Sequence, residues 1–149
     1  MKTRQQLFDN AVAGIWSQGG PAIEVVNNPD ACPTQQALCR YRTKDGKKCV
    51  IGWNIDDADY TPDLEMLTTT NDPVRVAAGI APDDMNFARE LQIIHDSAAR
   101  ASSNINRPVA FMTEFLAQMG TLADKNKLDT MILDEVTELY ARQQERKVQ

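Results

Sequence analysis

The sequence predicts a mainly α-helical α+β domain, about five helices packed around one two-stranded antiparallel β-hairpin. Three observations lead there. Apolar residues recur at spacings of three and four through several stretches, which gathers them on one face of a helix. Asp45-Gly46 stands between two β-prone runs, 39–43 and 47–53, and Asp-Gly in that setting is the strongest short-range hairpin signal. At 149 residues, with 42% apolar and 25% charged residues, the chain has the size and composition of one ordinary globular domain, read as 1–149.

The first helix is expected from Thr3, whose hydroxyl caps while Gln6, three residues on, completes a capping box. Phe8, Ala11, Val12, Ile15 and Trp16 share its apolar stripe, and Gly19-Gly20 followed by Pro21 stops it. From 21 to 37, Asn27-Asn28-Pro29-Asp30 and Pro33 interrupt the short apolar pieces Ile23, Val25 and Val26, so this stretch reads as a loop with at most a fragment of structure.

The hairpin is expected over about 38–54. A two-residue turn at Asp45-Gly46 scatters the apolar residues over both faces. A three-residue loop, 44–46, with Gly46 left-handed in a G1 bulge, pairs Thr43 with Lys47, Tyr41 with Cys49 and Cys39 with Ile51. Cys39, Tyr41, Cys49, Ile51 and Trp53 then share one face, and Arg40, Arg42, Lys48 and Val50 the other. A slip by one residue exposes the whole apolar set, so the bulged register is the expected one. A lone ribbon is marginal, and helices have to cover it.

Residues 54–60 are turn-like. Thr61-Pro62 opens a short helix to about Leu67, and Asp72-Pro73 opens another over 74–78 that Gly79 closes. The longest periodic segment, about 82–101, places Phe87, Leu91, Ile94 and Ala98 on a core stripe with Ala88 and His95 alongside, while Asp84, Arg89, Glu90 and Gln92 stay wet. This is the central helix. Pro108 starts a helix over about 108–120, with Val109, Met112, Phe115, Leu116 and Met119 inward and Gly120 as its stop. Asp129 caps the last, about 129–146, which carries Ile132, Val136, Leu139 and Tyr140 inward and Arg142, Arg146 and Lys147 near its end.

A formal charge of −5 argues against general nucleic-acid binding. The charge is segregated: Arg40, Arg42, Lys44, Lys47 and Lys48 lie on the hairpin, and Asp56, Asp57, Asp59, Asp63 and Glu65 follow it. Such segregation marks either a binding surface or a plain solvated face. No run approaches the roughly 18 apolar residues of a membrane span, and the polar start lacks the apolar stretch of a signal peptide, so a cytoplasmic protein with no membrane partner is expected. Three cysteines, Cys32, Cys39 and Cys49, are too few and odd in number for a disulfide framework, so free thiols are expected.

His95 is the single histidine. It is expected to be partly buried and to bond a backbone group of the hairpin. Its neighbour Asp96 need not orient the ring, because adjacent helix residues do not face each other. A closed zinc site of Cys32, Cys39, Cys49 and His95 is the metal alternative, though the usual short Cys-x₂₋₄-Cys spacing is missing. A Cys39 or Cys49 nucleophile with His95 as base is the enzymatic alternative, and neither cysteine carries a local signature. Neither is favoured: no catalytic residue and no cofactor are assigned, and the chain is read as non-enzymatic. The acidic run fails as a calcium loop, since Asp59 stands where an EF-hand needs glycine. Trp16 and Trp53 are read as core, with Trp53 a possible partner anchor.

Cys39-x-Tyr41-Arg42-x-x-Asp45-Gly46-x-x-Cys49, together with Ile51-Gly52, Ile55-Asp56, Tyr60, Leu64-Glu65 and Leu91-Gln92-x-x-His95-Asp96, resembles a group of small uncharacterised proteins of tailed phages and prophages. Leu7-Phe8-Asp9 and Gln18-Gly19 before Pro21 fit the same group, so the likeness spans most of the first hundred residues. What it implies is an accessory interaction protein, acting in the cytoplasm of an infected bacterium, that binds and inhibits or redirects a host protein such as a CRISPR or restriction component. The expected partner or ligand surface is Arg40, Tyr41, Arg42, Trp53, Asp56, Asp57, Asp59, Tyr60, His95 and Asp96. The alternative function is a small-ligand binder, in which Arg40 or Arg42 faces an anion such as a nucleotide near His95.

Overall fold

The computed structural model describes residues 1–30, 32, 35–103 and 110–148, with 35–37 described by their backbone alone. The chain runs α1 (Arg4–Gln18), β1 (Ile23–Asn27), β2 (Gln35–Cys39), α2 (Asp72–Ala78), α3 (Met85–Ser102), α4 (Phe111–Asn126) and α5 (Met131–Val148). Short 3₁₀ turns stand at Gly52–Asn54, Asp57–Asp59, Pro62–Met66 and Pro82–Asp84. The expected class holds: mainly helical, with one two-stranded antiparallel sheet.

The ends of α1 form as its sequence dictates. Thr3 Oγ1 accepts from the Gln6 N–H, Gln6 Oε1 accepts from the Thr3 N–H, and Gly19 at φ 79° closes the helix. Leu7, Phe8, Ala11, Val12 and Ile15 are fully buried, and Trp16 meets Tyr140 of α5 edge-on at 6.5 Å between ring centres. Phe87, Leu91, Ile94 and Ala98 of α3 and Phe115 and Met119 of α4 enter the same core. α1 touches α3, α4 and α5, so the four long helices close on one another.

α4 runs past its expected stop at Gly120. Leu122 and Ala123 beyond it are buried, and that burial outweighs the cost of about 1 kcal/mol for a glycine in a helix interior. Lys127 at φ 54° ends the helix instead, and the expected start at Pro108 and Val109 lies outside the described residues. The first free amide of α5, on Met131, donates to Asp129 Oδ1 at 2.7 Å, the cap that the sequence predicts.

The sheet is not where the Asp-Gly signal puts it. β1 and β2 pair from Ile23 with Cys39 to Asn27 with Gln35, so the stretch read as loop holds β1 and the first three residues of β2, with Pro33 outside the described residues. β-branched Ile23, Val25 and Val26 form a strand once a partner lies beside them. At the expected hairpin the bulged register survives as one bridge, Arg42 with Lys48, closed by Gly46 at φ 87°. Beyond it the pairing stops. Cys49, Val50 and Ile51 are all fully buried, and three consecutive buried residues cannot belong to a strand with one wet face. They curl into a turn closed by Trp53 N–H to Cys49 O (2.9 Å) and Asn54 N–H to Ile51 O (2.9 Å).

That turn is held by amide side chains. Gln18 Oε1 accepts from the Lys48 N–H (2.8 Å) and the Trp53 indole N–H (3.2 Å), while its Nε2 donates to Lys48 O (2.8 Å). Buried Asn54 donates to Leu7 O (3.2 Å) and Val50 O (3.0 Å) and accepts from Asn10 (2.9 Å). Two side chains thus do the work of a strand partner and lock the turn to α1.

Candidate functional site

After β2 the chain gives its next two amides to a carboxylate. Tyr41 N–H donates to Glu65 Oε1 (2.9 Å), Arg42 N–H to Glu65 Oε2 (3.0 Å), and the Tyr60 hydroxyl to the same Oε2 (2.7 Å). Tyr41 O–H donates to Leu67 O at 2.8 Å. The loop after Glu65 is therefore pinned beside the ribbon, and α3 forms the opposite wall. Between them lies a cleft of about 490 Å³, lined by Arg40 and Tyr41, by Thr68, Thr69 and Thr70, and by Arg89, Gln92, Ile93 and Asp96 on one face of α3.

His95 stands behind that wall, fully buried rather than partly so. Its Nε2 accepts the Ala22 N–H at 3.2 Å, so Nδ1 carries the proton and donates to Asp96 Oδ1 at 3.0 Å. The backbone partner was expected, and it belongs to the segment leading into β1. Asp96, which helix spacing did not require to orient the ring, does so: its half-buried carboxylate leans back toward the helix N-terminus and meets both His95 Nδ1 and Gln92 Nε2 (2.8 Å). Burial alone raises the Asp96 carboxyl, but hydrogen bonds from His95, Cys39 and Gln92 hold it below the usual carboxylate range.

Cys39 is exposed as a residue, yet its sulfur, the His95 ring and the Asp96 carboxylate lie within 4.8 Å of one another. Burial of the thiol first, and then its hydrogen bond to Asp96, push it up to about 12. Both ring nitrogens of His95 are committed, so no lone pair is left to take the thiol proton. The arrangement keeps Cys39 protonated. It also opposes a metal at this cluster: ligation through Nδ1 moves the ring proton to Nε2 and sets it against the Ala22 N–H. The four-ligand set of Cys32, Cys39, Cys49 and His95 does not assemble, since Cys39, His95 and Asp96 are the one group of metal-ligating side chains among the described residues. Cys49 is fully buried, with Gly52 N–H donating to its sulfur at 3.3 Å, and burial pushes its thiol to about 12.

Three of the five basic residues of the ribbon, Arg40, Arg42 and Lys48, are used internally. Arg42 donates to Ile55 O (2.9 Å), pairs with Asp57 (2.7 Å) and lies 4.5 Å over the Tyr60 ring, while Lys48 reaches Asp57 at 3.6 Å and stacks on Trp53 at 4.8 Å. Lys48 and then Arg42 hold the Asp57 carboxyl below its ordinary range. Arg42 and Tyr60 thus bond within the fold, and Trp53, half-buried against α1, anchors the turn through its indole N–H to Gln18. Val50, expected on the wet face, is buried. Arg40 pairs with Glu24 at 3.3 Å and reaches the cleft.

Asp56 and Asp59 are exposed with no ion pair among the described residues. Asp59 belongs to a second depression of about 440 Å³, with Asp72 on its rim and Pro73, Val76 and Ala77 as its floor. Val76 is 66% exposed. Sequence reasoning left the three threonines out of the site and read Arg89 and Gln92 as simply wet. The signal was present: Arg89, Gln92, Ile93 and Asp96 recur at three and four residues, one face of α3 beside His95. Comparison of the chain with protein-family models, curated proteins and solved structures finds no match.

Proposed function

We propose that the protein works by docking a partner protein on the acidic groove between the Asp57–Asp59 turn and α2. The observation that carries this reading is the pairing of an acidic rim, Asp59 with no ion pair among the described residues and Asp72, which Arg75 meets at 3.4 Å, with an exposed apolar floor, Pro73 and Val76. An apolar centre inside a polar rim is the layout of a protein–protein interface. Of the two charged surfaces the sequence offers, the ribbon spends Arg40, Arg42 and Lys48 on Glu24 and Asp57, whereas Asp59 of the acidic one has no ion pair among the described residues and lies beside apolar side chains. The fitting occupant is a basic segment with an apolar side chain at its centre, steered in by charge. The likeness to phage-encoded proteins favours a host bacterial protein, a defence component included.

The test is affinity capture from bacterial lysate with the wild type and with Asp59→Lys/Val76→Asp, two exposed positions. A partner held by the wild type, weakened by salt and lost from the double variant supports the reading. A partner retained by the double variant, or no specific partner at low salt, ends it.

A further inference from the structure

The cleft between the ribbon and α3 differs from the acidic groove in its polar chemistry. Its two carboxylates are satisfied: Glu65 by the Tyr41 and Arg42 amides and the Tyr60 hydroxyl, and Asp96 by His95 and Gln92. Only one of its cations is left over. Arg89 is exposed with no hydrogen bond or ion pair among the described residues, whereas Arg40 has its Nε 3.3 Å from Glu24 Oε2 in an ion pair, without hydrogen-bond geometry. Gln92 Oε1 is also buried and unpartnered, and its orientation is set, because Gln92 Nε2 must donate to the Asp96 carboxylate at 2.8 Å. The one other such atom among the described residues, Arg42 Nε, belongs to the guanidinium stacked on Tyr60.

Buried polar groups in native proteins are paired, so the orphan Gln92 Oε1 on the α3 wall points to what pairs it. Arg89 calls for an anion, and a guanidinium fork suits phosphate. Gln92 Oε1 calls for an N–H or O–H donor on the same molecule. Gln92 sits one helical turn, about 4.5 Å, from Arg89, so donor and anion are separated on the ligand by roughly the reach of an arginine side chain. Leu67, Tyr41 and Ile93, which is 51% exposed, supply an apolar flank for a flat ring. The volume, about 490 Å³, lies within the range of small-molecule sites.

We infer that this cleft binds a nucleoside monophosphate, its phosphate on Arg89 and an amino or imino N–H of its base on Gln92 Oε1. On Arg89 the phosphate displaces no carboxylate, since that guanidinium has no ion pair among the described residues. The site shares no residue with the acidic groove, so either can fail alone.

Calorimetric titration of the full chain with adenosine, cytidine and uridine monophosphates, with the parent nucleosides and with inorganic phosphate tests this. At least one nucleotide is expected to bind saturably, more tightly than phosphate, with its nucleoside weaker by about tenfold or more, the worth of one charged hydrogen bond. Arg89→Gln, at an exposed position, is expected to weaken the nucleotide by about tenfold and leave the unfolding midpoint in place. Gln92→Met is expected to weaken the nucleotide and leave phosphate unchanged. No saturation by any nucleotide below about 1 mM overturns the inference. So does affinity indifferent to Arg89→Gln, a nucleoside that binds as well as its phosphate, or inorganic phosphate that binds as tightly as the nucleotide.

Discussion

Gly14 lies in the middle of α1 with the Trp53 indole laid against it. A Cβ there would stand 2.3 Å from Trp53 Cγ and Cδ2, whereas carbon atoms rest at about 3.5–4.0 Å. Gly14→Ala must therefore push the indole away by roughly 1.2 Å or more. Two effects then compete. Alanine gains about 1 kcal/mol over glycine in a helix interior. Against it, overpacking costs about 1–3 kcal/mol, and the displaced indole strains its bond to Gln18, itself about 1 kcal/mol. The cation–π contact with Lys48 adds about 0.5–1 kcal/mol more. The losses win by about 2 kcal/mol. Urea unfolding followed by far-ultraviolet circular dichroism measures the stability, and a red shift of tryptophan emission reports the exposed ring. If Gly14→Ala is as stable as the wild type or more so, with emission unchanged, helix propensity has won and the close approach that seats the turn on α1 is not there.

Glu65→Ala strips the acceptor from two backbone amides and one hydroxyl, so it is expected to cost about 3 kcal/mol in the same assay; a loss under about 1 kcal/mol means those amides find other partners. The Cys39 and Cys49 thiols, both pushed from 9.0 to about 12, are expected to resist iodoacetamide at neutral pH while exposed Cys32 is alkylated, and mass spectrometry of the adducts reads this directly. The unfolded chain sheds those protons from 9.0 upward while the native one keeps them, so stability should decline as pH rises from 9.0 toward about 12. Asp96 behaves in the opposite sense. Its native carboxyl titrates below the ordinary 3.8, so its contribution is complete above 3.8 and fades as pH falls through the lowered value; Asp96→Asn should flatten that acid limb, and an unchanged limb contradicts the role assigned to it. Long-range ¹⁵N–¹H correlation of the imidazole is expected to show the Nδ1–H form of His95, and an Nε2–H signal would undo the bond to Ala22 and the argument against metal ligation there.

Sequence alone determined whatever depends on neighbours along the chain. The Thr3 and Gln6 capping box, the stop at Gly19, the left-handed Gly46 with its bulged register, and the apolar stripe of α3 are local or periodic facts, and each is realised. Tertiary structure decided where backbone groups far apart in the chain found partners. Glu65 took the amides of Tyr41 and Arg42, Gln18 took both backbone groups of Lys48, and Ala22 took His95, over separations of 23 to 73 residues. Those long-range bonds turned a promising hairpin into one bridge, moved the sheet into a stretch that looked like loop, and shaped a cleft whose arginine and glutamine had passed for wet residues on a helix. The physical reason is that a strand or a binding wall is defined by what lies across from it, and no spacing along one chain segment carries that information.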